Sequence, residues 1–175
     1  MKLVIINGSP RKQGRTGIAS RFMTKQYGAE LIDLSNSEIP LYTGEGEQYQ
    51  LKVIQDLRTS IEEADGVILT TPEYHGSMSG ALKNALDFLS SDQFTHKPVA
   101  LLAVSGGGKG GINALNSMRT VGRSLYANVI PKQLVLDPHC FDYENDGLNE
   151  ESALLVEALV EELKMYASAY ATIKK

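Results

Sequence analysis

The chain is expected to fold as an α/β protein, a three-layer doubly wound sheet of five parallel strands with helices on both faces. Three observations predict it: short apolar runs alternate with helix-period segments, the central runs are apolar nearly throughout, and glycine- or proline-rich loops follow three of them. Parallel strands need crossover connections, and helices supply them. At 175 residues and 42% hydrophobic content the chain holds enough apolar material for one core, and 1–175 reads as a single domain.

Strand one spans 2–7, with "LVII" at its heart, and the helix at 16–26 follows a loop. Strand two, 29–34, interleaves Glu30 and Asp33 with its apolar residues, so one side faces water and it belongs at an edge. A helix at 48–64 leads to strand three at 66–71, whose "GVIL" core is buried on both sides. A helix at 79–90 leads to strand four at 99–105, where "VALLAV" is equally apolar. After a helix at 112–126, strand five at 128–136 carries Pro131, which cannot donate to a ladder and therefore marks an edge or a bulge. A helix at 149–169 closes the chain. Strands two and five thus flank one, three and four, and right-handed crossovers leave the order 2-1-3-4-5, the flavodoxin-like winding. Ligands of that winding sit beyond the carboxyl ends of strands one and three, where the order reverses.

Composition excludes several partners. A net charge of −4 with both signs mixed along the chain leaves no nucleic-acid or acidic-membrane footprint, and no apolar run approaches the ~20 residues of a spanning helix. The single cysteine, Cys140, cannot close an internal disulfide, and the opening residues enter a strand with no signal-peptide layout. A cytoplasmic protein, bound neither to membrane nor to nucleic acid, is expected.

The loops after strands one, three and four, "NGSPRKQGRT", "TPEYHGSMSG" and "SGGGKGG", leave the same rim. In the first, Ser9 and Thr16 offer hydroxyls, Arg11, Lys12 and Arg15 offer cations, and a helix begins at Thr16 whose free N–H groups favour an anion. Such a loop in isolation reads equally as a solvated turn capped by Thr16; its place at the switch point favours phosphate. It is no Walker loop, because five residues separate Gly8 from Gly14 and Arg15 stands where lysine is required. The fourth-strand loop matches Gly-x-Gly-x-x-Gly at 106–111, but polyglycine does so trivially, and a glycine-lined wall for a flat ring is the simpler reading. His75 stands near Ser77, Ser79 and Ser105, yet methionine occupies the centre of "GSMSG" where a hydrolase elbow needs serine. His75 is read instead as a hydrogen-bonding wall residue. The acidic run from Asp142 lacks a bidentate Glu at its end, and His139 with Cys140 falls short of a tetrahedral metal set, so no metal is expected.

The motifs "GSPRKQGRT", "PEYHGSMSGALKNALDF" and "SGGGKGG", in this order, resemble those of the NADPH-dependent FMN reductase family, especially its azobenzene and quinone reductase members. The resemblance covers nearly the whole chain and is weakest at 35–50 and after Asp137. It implies tight noncovalent FMN, NADPH as cosubstrate and self-association to a dimer or tetramer. By position it implies that Ser9, Arg11, Arg15 and Thr16 hold the FMN phosphate. Pro72, Glu73, Tyr74, His75 and Gly76 then follow the ribityl chain and flavin edge, and Ser105, Gly106, Gly107 and Gly108 line the isoalloxazine. The chain departs from the family at His75, where asparagine is common, and at Ser79, where proline is usual.

The implied reaction is ping-pong: hydride passes from NADPH to flavin, and two electrons then pass to a quinone, an azo compound or free flavin. No protein acid or base is obligatory, since the flavin carries the chemistry. The alternative is a flavodoxin-type electron carrier without NADPH turnover, disfavoured because Tyr74 is the lone aromatic near the flavin loops. The helix "GALKNALDFLSS" adds Ala81 and Phe88 to an apolar face of Leu82, Ala85, Leu86 and Leu89, wider than one sheet contact needs, and suggests a subunit interface. Lys109 is expected to pair with Asp137 across such a contact.

Overall fold

Alternation along each central strand divides the interior in two. Val4 and Ile6 of β1 (Leu3–Asn7) point to one face of the sheet and Leu3 and Ile5 to the other, all four buried, and β3 (Gly66–Pro72) and β4 (Pro98–Val104) repeat the pattern. The computed structural model describes residues 1–108 and 110–173. With β2 (Glu30–Asp33) and β5 (Asn128–Leu136) the sheet is parallel throughout, in the order 2-1-3-4-5. Helices α2 (Lys52–Glu63), α3 (Gly80–Asp87) and α5 (Ile112–Ser124) cover the first face with Ile54, Ile61, Leu82, Leu86 and Met118. Helices α1 (Arg15–Tyr27) and α6 (Glu150–Ile173) cover the second with Met23, Val156, Leu159 and Leu163. Both edge strands stand where their polar interruptions place them. Pro131 lies in a bulge: Val99 faces Val129, but two residues on Leu101 already faces Gln133.

Three boundaries differ from the sequence expectation. The segment expected to begin a long helix at 48 forms a 3-10 turn, Gly46–Gln50, and α2 starts only at Lys52. Gln48 prefers a local clamp there, accepting from the Thr43 amide and hydroxyl at 2.8 and 2.9 Å and donating to the Leu41 carbonyl at 2.7 Å. The helix expected over 79–90 stops at Asp87, and a short α4 (Ser91–Phe94) follows. Ser90 and Gln93 form a capping box that starts this new helix and forbids continuation of the old one. A hairpin of β6 (Phe141–Asp142) and β7 (Gly147–Leu148), absent from the expected elements, occupies the acidic run. Asp142 closes its turn by accepting from the Glu144 and Asn145 amides, and Asp146 takes a bidentate pair with Arg21 of α1 at 2.8 and 2.5 Å. As expected, Asn149 caps α6, its Oδ1 accepting from Ser152 N at 2.8 Å.

The wide apolar stripe of α3 has an intramolecular explanation. Leu82, Ala85, Leu86, Phe88 and Leu89 are all buried within this one chain, and Phe88 meets Tyr42 and Tyr49 edge-on at 5.0 and 6.1 Å. The segment after β2 folds over α3, held by Asn84, which accepts from Tyr42 N and donates to Pro40 O at 2.8 Å each. The stripe therefore supplies no ground for a subunit contact. Among the described residues no helix is long and apolar enough to cross a membrane.

Gly122 in α5 gives a test of this packing. A Cβ there would stand 2.6 Å from Val129 Cγ2. Alanine normally stabilises a helix interior by about 1 kcal/mol over glycine, but here the clash with a stiff side chain dominates. Gly122→Ala is expected to destabilise by about 1–3 kcal/mol in urea unfolding, and Val129→Ala in the same chain to recover most of the loss.

Candidate functional site

The rim above β1 and β3 is built around one close backbone approach. Gly8 N donates to Thr70 O at 2.8 Å, and a Cβ on Gly8 would lie 2.5 Å from that oxygen and 2.9 Å from Leu82 Cβ. Only glycine lets the chain leave β1 across the end of β3. Around it buried polar groups tie the loops together. Asn7 donates through Nδ2 to Asp33 Oδ1 at 2.7 Å, accepts from Ser9 N at 3.2 Å, and its carbonyl accepts from Leu34 N. Ser20 of α1 and Thr70 of β3 bring their hydroxyls to 2.8 Å, with the carbonyls of Thr16 and Ile6 as further acceptors. Ser79, wholly buried before α3, accepts from Leu82 N at 3.0 Å, donates its hydroxyl to Gly8 O, and donates its amide to Thr71 Oγ1 at 2.9 Å.

A cleft of about 220 Å³ opens above this frame, lined by Ser9, Arg11, Gly14, Arg15, Thr16, Pro72, Glu73, Tyr74, Val104, Ser105 and Gly106. Helix α1 begins at its wall with Gly14 at the cap position, no side-chain cap and no acidic residue in the first turn. Thr16 is thus inside the first turn and not the cap. Arg11, Lys12 and Arg15 pair with no carboxylate among the described residues. Arg11 instead lies over the Tyr74 ring, 5.7 Å from its centroid, bridging the first and third loops. Larger hollows exist, one of about 640 Å³ at the opposite rim, but it is lined by Glu62, Glu63, Asp65 and Asp92 and has no comparable group of unpaired cations.

The third and fourth loops are joined by a carboxylate. Glu73 Oε2 accepts from Ala114 N at 2.9 Å, capping α5, whose own cap residue, Gly111, has no side chain to do so. His75 and Gly76 form the tip of a tight turn, both with positive φ (49° and 77°), between Tyr74 and Ser77, which exchange backbone hydrogen bonds of 2.9 and 3.1 Å. This mirror-image turn favours Asn-Gly, and histidine is among the few other residues that enter its conformation readily. Both residues are exposed and stand outside the cleft lining. Ser105 Oγ lies 2.5 Å from Asp137 Oδ1 and 2.8 Å from Gly107 O, with one proton to serve both. Gly106, Gly107 and Gly108 follow it on the surface, and Gly106 reaches the cleft. The expected Lys109–Asp137 pair lies outside the described residues.

Eleven residues line the cleft, and nine of the thirteen expected from sequence are among them: His75, Gly76, Gly107 and Gly108 are the four that are not. What the sequence did not reveal is the supporting frame of Asn7, Ser20, Asp33, Thr70 and Ser79. Its one signal is polar residues ending or following strands that are otherwise apolar.

A cleft lined by cations and hydroxyls at the switch point of a parallel 2-1-3-4-5 sheet defines the class: a flavodoxin-like protein. Comparison with known proteins narrows it. Residues 1–141 match the family model described as NADPH-dependent FMN reductase. The chain is 56% identical to an NADPH azoreductase of Bacillus sp. strain OY1-2, over 100% of this chain and 97% of that one. It is 35% identical to an FMN-dependent NADPH-azoreductase of Staphylococcus aureus, over 84% and 82%. A flavoenzyme NAD(P)H:(acceptor) oxidoreductase from Paracoccus denitrificans shares the fold, with TM-score 0.76 at 19% identity over 95% of each chain. The chain belongs to the NADPH-dependent FMN reductase family, and so to the enzymes that use FMN as cofactor and NADPH as reductant.

Asp33 supports this site from below and gives it a pH dependence. Burial works to raise its carboxyl, but hydrogen bonds from Ser35, Asn7 and Asn36 outweigh burial and hold it below the usual carboxylate range. Its stabilising contribution is complete above the unfolded value of about 4 and is lost as pH falls through the lower folded value. Thermal melts of the parent and Asp33→Asn should differ most above about pH 5 and converge towards pH 3.

Proposed function

We propose that this protein is an FMN-containing reductase that passes two electrons from NADPH to quinones, azo compounds or free flavin. The observation that carries the reading is the cleft at the switch point. There, cations without acid partners, the hydroxyls of Ser9 and Thr16 and an uncapped helix start converge on one anion-sized space. Ser9, Arg11, Arg15 and Thr16 would hold the FMN phosphate. Pro72, Glu73, Tyr74, His75 and Gly76 would border the ribityl chain and flavin edge, and Ser105, Gly106, Gly107 and Gly108 the isoalloxazine.

The donor set fits that group at both ends. A cleft of about 220 Å³ is smaller than the ~300–1,000 Å³ of enclosed ligand pockets, so it suits the phosphate and polyol and leaves a ring system outside. Along that outside edge run three glycines whose identity the fold does not demand. A Cβ on Gly106, Gly107 or Gly108 would meet nothing within 4 Å, and none of the three has positive φ. A bare backbone there serves something beyond the chain, presenting N–H groups to the edge of a planar heterocycle. Bound FMN would supply the redox chemistry, accepting hydride from NADPH and yielding two electrons to the acceptor. The residues would hold and orient it and leave one side open, so reductant and acceptor would use that side in turn, the ping-pong order.

Tyr74 is the one aromatic residue of the cleft lining, and an unshielded ring favours turnover over an electron carrier. Self-association to a dimer or tetramer, which rests on the family likeness, and a cytoplasmic location, which rests on the single cysteine, belong to the same proposal.

Purified protein should carry yellow flavin and oxidise NADPH faster when a quinone or azo dye is added. Bound FMN with no NADPH turnover would make it a carrier instead, and protein that stays colourless with added FMN would overturn the site. Arg11→Ala and Arg15→Ala should each lose a charge-assisted contact of ~1.5–3 kcal/mol and weaken FMN about ten- to a hundredfold in fluorescence titration.

A further inference from the structure

We propose that Ser79 is a positioning residue for the phosphate loop, acting through its hydroxyl on Gly8. The proposal rests on reading the cleft as the FMN phosphate site. Ser79 touches no part of the cleft, yet it is wholly buried and all its polar groups are committed. Its Oγ accepts from Leu82 N, the ordinary business of a helix cap, and donates to Gly8 O, which begins the first loop. Its amide donates to Thr71 Oγ1. A single residue thus joins three elements: its side chain ties the start of α3 to the loop that carries Ser9, Arg11 and Arg15, and its amide ties both to the end of β3.

Backbone geometry separates this role from capping. Ser79 has φ −61° and ψ 148°, which proline also adopts. Proline would offer neither the hydroxyl to Gly8 nor the amide to Thr71. Serine at this position therefore gives the chain one hydrogen bond across the switch point, to Gly8 O, and a second, to Thr71, within the connection after β3, neither of which a helix start by itself needs. Without the hydroxyl, Gly8 O is left buried and unpaired, and the loop it fixes loses the register that aims its donors at one anion.

The test compares FMN with riboflavin, which lacks the phosphate. Glycine caps helices nearly as well as serine, so Ser79→Gly removes the tether with little capping loss. In fluorescence titrations Ser79→Gly should bind FMN about tenfold more weakly than the parent, while riboflavin affinity changes less than twofold. Ser79→Thr, which keeps the hydroxyl, should retain the parent's preference for FMN. An unchanged preference in Ser79→Gly overturns the proposal, as does an equal loss for both ligands, which marks general destabilisation. If Ser79→Gly shows no cooperative thermal transition, Ser79→Ala is titrated in its place, and failure of both to fold makes the hydroxyl a determinant of the whole fold and overturns it too. A parent protein that binds riboflavin as tightly as FMN would instead overturn the phosphate-site reading beneath it.

Discussion

The approach of Gly8 to Thr70 is the constraint on which the rim depends. Strands β1 and β3 are neighbours whose crossover helices, α1 and α3, lie on opposite faces of the sheet, so their loops part at the rim, and the loop after β1 crosses close against Thr70 before it does. With a 2.8 Å hydrogen bond at that crossing and a Cβ excluded at 2.5 Å, the backbone has almost no freedom in how it turns. The direction in which Ser9, Arg11 and the start of α1 face follows from it. A loop with three cations and no fixed exit would spread its charges into water; this one brings two of them, Arg11 and Arg15, to the cleft.

Such a crossing buries polar groups, and each needs a partner. The frame answers with side chains that serve two elements at once: Asn7 between β1 and β2, Ser20 and Thr70 between α1 and β3, Ser79 between α3 and the first loop, Glu73 between the third loop and α5. Buried polar networks cost stability when half satisfied and rigidify when complete. Here they link α1, β3 and the first and third loops, all of which border the cleft. The fold positions the site by hydrogen bonding at the rim and by apolar packing below it, and the two layers meet at Leu82, which would touch a Gly8 side chain and whose amide Ser79 caps.

This division explains what could be read in the sequence. Strand order was legible because burial leaves a local mark: "VALLAV" admits no polar face, "ELID" does, and Pro131 cannot sit in a central ladder. Ser9, Arg11, Arg15, Thr16 and Gly106 were legible because glycine, cations and hydroxyls cluster within single loops, whereas Pro72, Glu73, Tyr74 and Ser105 were assigned through the family resemblance. Helix ends failed where a side chain found a closer partner, as Gln48 did with Thr43 and Gln93 with Ser90. The hairpin at Asp142 was hidden because its stabilising partner, Arg21, lies 125 residues away. The frame was hidden for the same reason: Ser79 and Gly8 are 71 residues apart, and nothing in either neighbourhood names the other.

Charge is distributed unevenly around the cleft, and the distribution suits its two ends to different work. Cations that pair with no carboxylate among the described residues sit at the first loop, where a fixed negative charge would stay bound throughout. At the fourth loop two carboxylates come near, and both are already engaged, Glu73 by the amide of Ala114 and Asp137 by the hydroxyl of Ser105. A free carboxylate beside the glycines would repel electron density arriving on a ligand there, whereas one that accepts a helix amide or a hydroxyl turns part of its field aside. The same contacts give these carboxylates a structural task, since Glu73 holds the start of α5 against the third loop and Asp137 holds the end of β5 against the start of the glycine loop. Gly106, Gly107 and Gly108 can then stay free of side chains without becoming free of shape, which is what a surface binding one ring while leaving its other side open would require.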